Sequence, residues 1–220
     1  MQAPKRREDP ARERRKRLAL WSALAIGAAI AGLYAITAGG GGGGSAGGSD
    51  DYPYAVGQPG PGDDALPLEL ASTAGGIFDL ADYRGKEQVL LYFQEGLTCQ
   101  PCWDQMRAIE QRLGKFRALG IEEIVSVTTD PIDLIEQKMK DEGIQMPVLA
   151  DVSAQFSSAW SANRYQMMHM GERNGHSFIL VGKDGKIVWR GDYGGEPKYT
   201  MFLPVDVLLR DLRQGIEQAT

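Results

Sequence analysis

Val89-Leu-Leu-Tyr-Phe-Gln-Glu-Gly-Leu-Thr-Cys-Gln-Pro-Cys102 joins an apolar run to the only two cysteines of the 220-residue chain. A five-residue run of branched and aromatic side chains reads as a strand. The short polar turn after it leads to a helix over Trp103 to Leu119, so the CxxC stands at a helix mouth. Unpaired backbone N–H groups and the helix dipole stabilise negative charge there, which lowers a thiol pKa below its free value of about 8.5. Such a pair is a redox dithiol: Cys99 is the expected nucleophile and Cys102 the resolving residue. A purely structural crosslink is disfavoured, because a four-residue loop constrains little of the unfolded chain. A zinc site needs two more ligands, and the two histidines, His169 and His176, lie outside the usual spacing of about three to five residues.

Outward from this motif, short apolar runs alternate with amphipathic stretches, as in an α/β layer fold. Strands are expected at Val89 to Phe93, Ile124 to Thr128, Val148 to Ala150, Phe178 to Val181 and Ile187 to Arg190. Helices are expected at Pro101 to Leu119, Pro131 to Glu142, Ala154 to Trp160 and Val205 to Gln218. Asp130-Pro131 supplies a helix start, with the Asp130 carboxylate as N-cap and Pro131 in the first turn. Lys183-Asp-Gly-Lys186 is a hairpin turn of the Asp-Gly kind, so the last two strands are antiparallel. Trp103, Trp160 and Trp189 are expected to pack in the core. Strand, CxxC helix, strand, crossover helix, hairpin and terminal helix together give the thioredoxin order, a central mixed sheet flanked by helices.

The N-terminal segment speaks to compartment. Residues 1–17 form a basic tail with eight Lys or Arg against three acids. Residues 18–38 carry no charge, and 21 residues at 1.5 Å of rise match a hydrocarbon core of about 30 Å. The expectation is a single transmembrane helix. No Lys or Arg occurs between Leu18 and Arg84, so the N-terminus is cytoplasmic and the CxxC domain extracytoplasmic at the cell membrane. Residues 39–61, Gly-rich at their start, read as a flexible linker, and residues 62–220 as one redox domain. Removing the tail's eight basic and three acidic residues from the chain's 24 and 29 leaves 16 and 26, a net charge of −10 on the remainder. That argues against nucleic acid and anionic lipid as partners of the outer domain.

Val56-Gly-Gln-Pro-Gly-Pro, Leu68-Glu-Leu, Phe78-Asp-Leu-Ala-Asp-Tyr-Arg-Gly-Lys and Val89-Leu-Leu-Tyr-Phe resemble the opening of a known family. It is the redoxin, or alkyl hydroperoxide reductase/thiol-specific antioxidant (AhpC/TSA), branch of the thioredoxin superfamily. Val125-Ser-Val-Thr-Thr-Asp, Met146-Pro-Val-Leu-Ala-Asp and Phe178-Ile-Leu-Val-Gly-Lys-Asp-Gly-Lys-Ile are similar to its later strands and turn. Peroxidases of the family place Thr or Ser three residues before the peroxide-attacking Cys, and a Pro four residues earlier still. Here Gly96 precedes Cys99 at that distance, and Cys99 itself so precedes Cys102. The resemblance therefore implies first a membrane-anchored thiol-disulfide oxidoreductase that exchanges disulfides with a protein substrate and a thiol electron partner, without a cofactor. Thiol peroxidase activity is the alternative.

Exchange proteins of the superfamily carry a cis-Pro facing the CxxC, where this chain has Gly175-His176-Ser177. A non-proline cis bond costs about 3 kcal/mol, so a trans peptide is expected, and His176 at the strand mouth could reach the sulfurs and transfer protons. The buried carboxylate of relatives has no clear equivalent. Glu95 and Asp104 are the nearest acids, with Glu95 a candidate for proton transfer. A third reading is a copper-binding metallochaperone, in which Cys99, Cys102 and His169 from Met167-Met-His-Met170 supply soft ligands for Cu(I).

Overall fold

The computed structural model describes residues 46–166 and 173–219, within a compact unit of residues 44–220. Among the described residues, nine strands form one sheet: β1 (Ala46–Ser49), β2 (Tyr52–Ala55), β3 (Glu69–Ser72), β4 (Ile77–Asp79), β5 (Gln88–Phe93), β6 (Ile121–Thr128), β7 (Val148–Ala150), β8 (Ser177–Val181) and β9 (Ile187–Asp192). The helices are α1 (Gln100–Glu110), α2 (Leu113–Arg117), α3 (Ile132–Glu142), α4 (Gln155–Ala159) and α5 (Val205–Ala219). The strand order is β1-β2-β9-β8-β5-β6-β7-β3-β4. β5, β6 and β7 are parallel, and the remaining pairs are antiparallel. This is the mixed thioredoxin-like α/β architecture that the pattern predicts.

Strand alternation divides the core in two. Leu90 and Tyr92 of β5, with Phe178 and Leu180 of β8, face α1, α2, α3 and α5, where Trp103, Met106, Ile109, Phe116, Ile135 and Leu208 pack. Val89, Leu91 and Phe93, with Ile179 and Val181, face the other way onto Leu68, Phe78, Leu80 and Trp160. β5 is therefore covered on both sides, which is why it reads as a continuous apolar run. All three core tryptophans are buried.

Three expectations need correction. The helix predicted over 101–119 is two helices, because Arg112 leaves the helical region at φ −130° and the chain turns so that Phe116 enters the core. Asp130 does not cap α3: Pro131 is the N-cap residue, in extended conformation and without a side-chain cap. Within the segment read as linker, β1 and β2 form a hairpin that joins the sheet through Ala55 and Asp192. Tyr54 fixes it, accepting a hydrogen bond from Trp189 Nε1 at 3.0 Å and lying 5.0 Å from the Tyr193 ring. The edge pair β3–β4 gives too few residues for a visible period and depends on pairing with β7.

The basic tail, residues 18–38, linker residues 39–45 and His169 with its neighbouring methionines lie outside the described residues. Among the described residues, no helix is long and apolar enough to cross a membrane.

Candidate active site

Cys99 and Cys102 are bonded to each other, with their Cα atoms 5.3 Å apart. Cys99 is the N-cap residue of α1, and Pro101 stands in the first turn, where a missing N–H costs nothing. The Cys102 N–H donates to Cys99 Sγ at 3.3 Å. Donation to a sulfur at a helix N-terminus favours its anionic form once the bond is reduced. Cys99 keeps 7% exposure and is flanked by exposed Thr98, Gln100 and Pro101, whereas Cys102 has none. The outward residue of the pair is thus the first cysteine. Met201, from the loop between β9 and α5, packs against both cysteines.

The turn before Cys99 centres on Gly96. Its N–H donates to Gln94 Oε1 at 2.7 Å, and its carbonyl accepts from Trp103 Nε1 at 3.2 Å and from the Cys99 N–H at 3.0 Å. Gly96 has φ +92°, and a Cβ there would overlap the Asp130 carboxylate and the Thr128 hydroxyl. That overlap explains why the residue three before Cys99 carries no hydroxyl: the space belongs to two side chains from the end of β6. Asp130 Oδ2 accepts from the Leu97 N–H at 2.8 Å and from Thr128 Oγ1 at 2.9 Å. Arg173 Nη1 donates to the Glu95 carbonyl at 2.7 Å and lies 3.7 Å from Asp130 Oδ1. Gly96→Thr, which restores the family hydroxyl, is expected to cost about 2–3 kcal/mol through left-handed strain and overpacking, read from the urea midpoint. Unchanged stability would show that the turn tolerates a side chain.

His176 lies in the core and not at an open strand mouth. It has no exposure, its Nδ1 lies 3.0 Å from the Tyr92 hydroxyl, and the Tyr92 and Phe178 rings meet it edge-on. Burial lowers its pKa from 6.5 to about 3, so the ring is neutral. Its hydrogen-bond partner is Tyr92 and not a sulfur, and His176 Nε2 has no partner among the described residues. Tyr92 is held well above the ordinary tyrosine range by burial, with the charge of Glu95 adding to it. The cis peptides among the described residues are Gln58–Pro59 and Glu196–Pro197, so the bond before His176 is trans.

Asp104 lies on the partly exposed face of α1 and pairs with Arg107 at 2.8 Å. Arg107 also pairs with Glu142, which Lys138 contacts at 2.6 Å. No group of three His, Cys, Asp or Glu side chains among the described residues could hold a metal ion. Asp130, Arg173 and Met201 carry no sequence signal for a place at this site. Each is remote in sequence from Cys99, and only Asp130 belongs to a recognisable local pattern, one that points to capping.

A model of the AhpC/TSA family matches residues 61–190. Over 130 residues the chain is 30% identical to a candidate peroxiredoxin of Mycobacterium tuberculosis, in strains H37Rv and CDC 1551 alike, covering 58% of this chain and 82% of that protein. Among solved structures, the peroxidoxin BcpB of M. tuberculosis superposes with a TM-score of 0.58 at 16% identity, over 70% of this chain and 97% of its own. The reduced 2-Cys peroxiredoxin of Plasmodium vivax gives 0.60 at 19%, over 72% and 83%. AhpC of Enterococcus faecalis gives 0.59 at 14%, over 71% and 92%. At such identities the structural likeness is one of fold.

Proposed function

Because the chain belongs to the AhpC/TSA family, a family of thiol-based redox enzymes, we propose that it is a thiol peroxidase working through the Cys99–Cys102 pair. The observation that carries this reading is the pair itself: a bonded CxxC at a helix N-terminus, outward at Cys99 and sealed at Cys102. In the reduced protein, the Cys99 thiolate attacks one peroxide oxygen. The O–O bond breaks, Cys99 becomes a sulfenic acid, and the other oxygen leaves as alcohol or water after taking a proton. Cys102 then attacks the Cys99 sulfur, expelling water and forming the disulfide. An external thiol attacks Cys99 and passes through a mixed disulfide, and a second thiol equivalent restores both cysteines.

Protein disulfide exchange is the second reading, favoured by Gly96, which leaves the family's peroxide-binding hydroxyl out of the turn. It uses the same sulfurs in the same order. The uncharged stretch 18–38 supports the further proposal that the domain works tethered outside the cytoplasmic membrane.

Reduced full-length protein treated with substoichiometric hydrogen peroxide is expected to consume one equivalent per disulfide formed. In Cys102→Ser the sulfenic acid should persist and react with dimedone. If peroxide oxidises the native protein no faster than a urea-unfolded control, while insulin disulfides are reduced, the peroxidase reading is wrong and exchange stands.

A further inference from the structure

Glu95 to Thr98 carry the chain from β5 to Cys99, and charged side chains from two other elements hold that turn. Asp130, 7% exposed, accepts from the Leu97 N–H at 2.8 Å, and Arg173 donates to the Glu95 carbonyl at 2.7 Å. The two charges face each other at 3.7 Å. Gly96 fits against Asp130 and Thr128 only because it lacks a side chain. The negative member of the couple is almost sealed from water, so its charge is poorly screened.

We propose that Asp130 and Arg173 are a positioning couple for Cys99: they fix the turn that places the sulfur at the head of α1, and their opposite charges balance beside it. The inference rests on the proposed function only in taking Cys99 as the attacking sulfur. With both charges present, the helix N-terminus and the Cys102 N–H set the thiolate. Removing Arg173 leaves an uncompensated carboxylate, which disfavours the thiolate and raises its pKa. Asp130→Asn keeps an oxygen for the Leu97 N–H but leaves the guanidinium alone, which favours the thiolate and lowers it. The two variants must therefore shift Cys99 in opposite directions, whereas a loosened turn would move both the same way.

The other groups facing the site do not change between the variants. On its own turn stands Glu95. On α1, Asp104 is paired with Arg107, and on α3, Lys138 is paired with Glu142 and donates to Gln100 Oε1 at 3.2 Å. The loop that carries Met201 also carries the exposed Lys198 and Glu196, the latter accepting from the Tyr199 hydroxyl at 3.1 Å. Tyr92 and His176 behind the turn are neutral.

The test is the pH dependence of iodoacetamide alkylation at Cys99, in reduced full-length protein carrying Cys102→Ser so that one thiol reports. Arg173→Gln is expected to raise the midpoint by about half a pH unit or more, Asp130→Asn to lower it by a similar amount, and the double variant to return within about 0.2 unit of the parent. Shifts of the same sign, or none, overturn the couple. Should Asp130→Asn fail to fold, Arg173→Gln decides alone, since a midpoint that does not rise is sufficient refutation. Alkylation needs neither peroxide nor a disulfide partner, so absent shifts in an active peroxidase would overturn only this inference. Opposite shifts in a protein without peroxide turnover would overturn only the proposed function.

Discussion

Arg190→Met is expected to cost about 3–5 kcal/mol, a large share of the roughly 5–15 kcal/mol that holds an ordinary domain folded. Arg190 of β9 has no exposure, and its guanidinium grips Asp192 through two bonds, Nε to Oδ2 at 2.8 Å and Nη2 to Oδ1 at 3.0 Å. Nη1 donates to the carbonyls of Trp160 at 2.9 Å and Pro59 at 3.1 Å, and the group lies 5.8 Å from the Tyr165 ring centre. Asp192 also accepts the Gly57 N–H at 2.7 Å. Met would leave a buried carboxylate with one backbone donor and two carbonyls without their cation. The expected loss is therefore mainly the cost of an unpaired charge, not the net worth of the pair. This distinction is measurable by urea unfolding: Arg190→Met with Asp192→Leu should recover part of the loss. A double variant at least as unstable as the single one would contradict that account, as would a single loss under about 1 kcal/mol.

The same knot shows why some of the site was legible and some was not. Val89 to Phe93, the CxxC and the Asp-Gly hairpin carry their structure in adjacent residues, through apolar runs, spacing and turn chemistry. Tyr165 does not. Its carbonyl occupies the space that a Cβ at Gly175 or Gly194 would need, and its ring sits against Arg190, so it ties its own segment to two others. Nothing local marks it. Asp130-Pro131 shows the opposite failure, a strong local signal for a helix cap that a tertiary partner overrides, because the Leu97 N–H lies 33 residues away and takes the carboxylate. His176 depends on register: the β5–β8 pairing of Phe93 with Ser177 and Tyr92 with Phe178 brings the residue before Ser177 beside the Tyr92 hydroxyl. In sequence it stands at a strand mouth as a residue that could reach the sulfurs, and nothing local marks it as a core residue. Family membership, which no single residue displays, is what places the peroxidase reading first. The absence of Thr or Ser at position 96 has a packing cause as well, since a Cβ there would overlap Thr128 and Asp130.

Acid should destabilise this protein in part through His176. The native ring is neutral, with a pKa of about 3 set by burial, while in the unfolded chain it takes its ordinary value of about 6.5. Between those limits the unfolded state binds a proton that the native state refuses. Stability therefore rises with pH across the interval, and its full value holds above about pH 6.5. As pH falls from 6.5 toward 3, this one group removes on the order of 5 kcal/mol. Carboxylates titrate in part of the same range, so the informative quantity is the difference between two proteins. Replacing His176 by Phe alone would strand the buried Tyr92 hydroxyl at a cost of about 1–3 kcal/mol, so the comparison uses His176→Phe with Tyr92→Phe. The double variant keeps the ring contacts to Phe178 and carries nothing at this position that can be protonated. Urea midpoints at pH 7.5 and 4.5 should show the native protein losing about 2–3 kcal/mol more than the double variant over that span. Equal losses would mean that His176 is already protonated in the folded state, and that its unpartnered Nε2 reaches an acceptor or solvent after all.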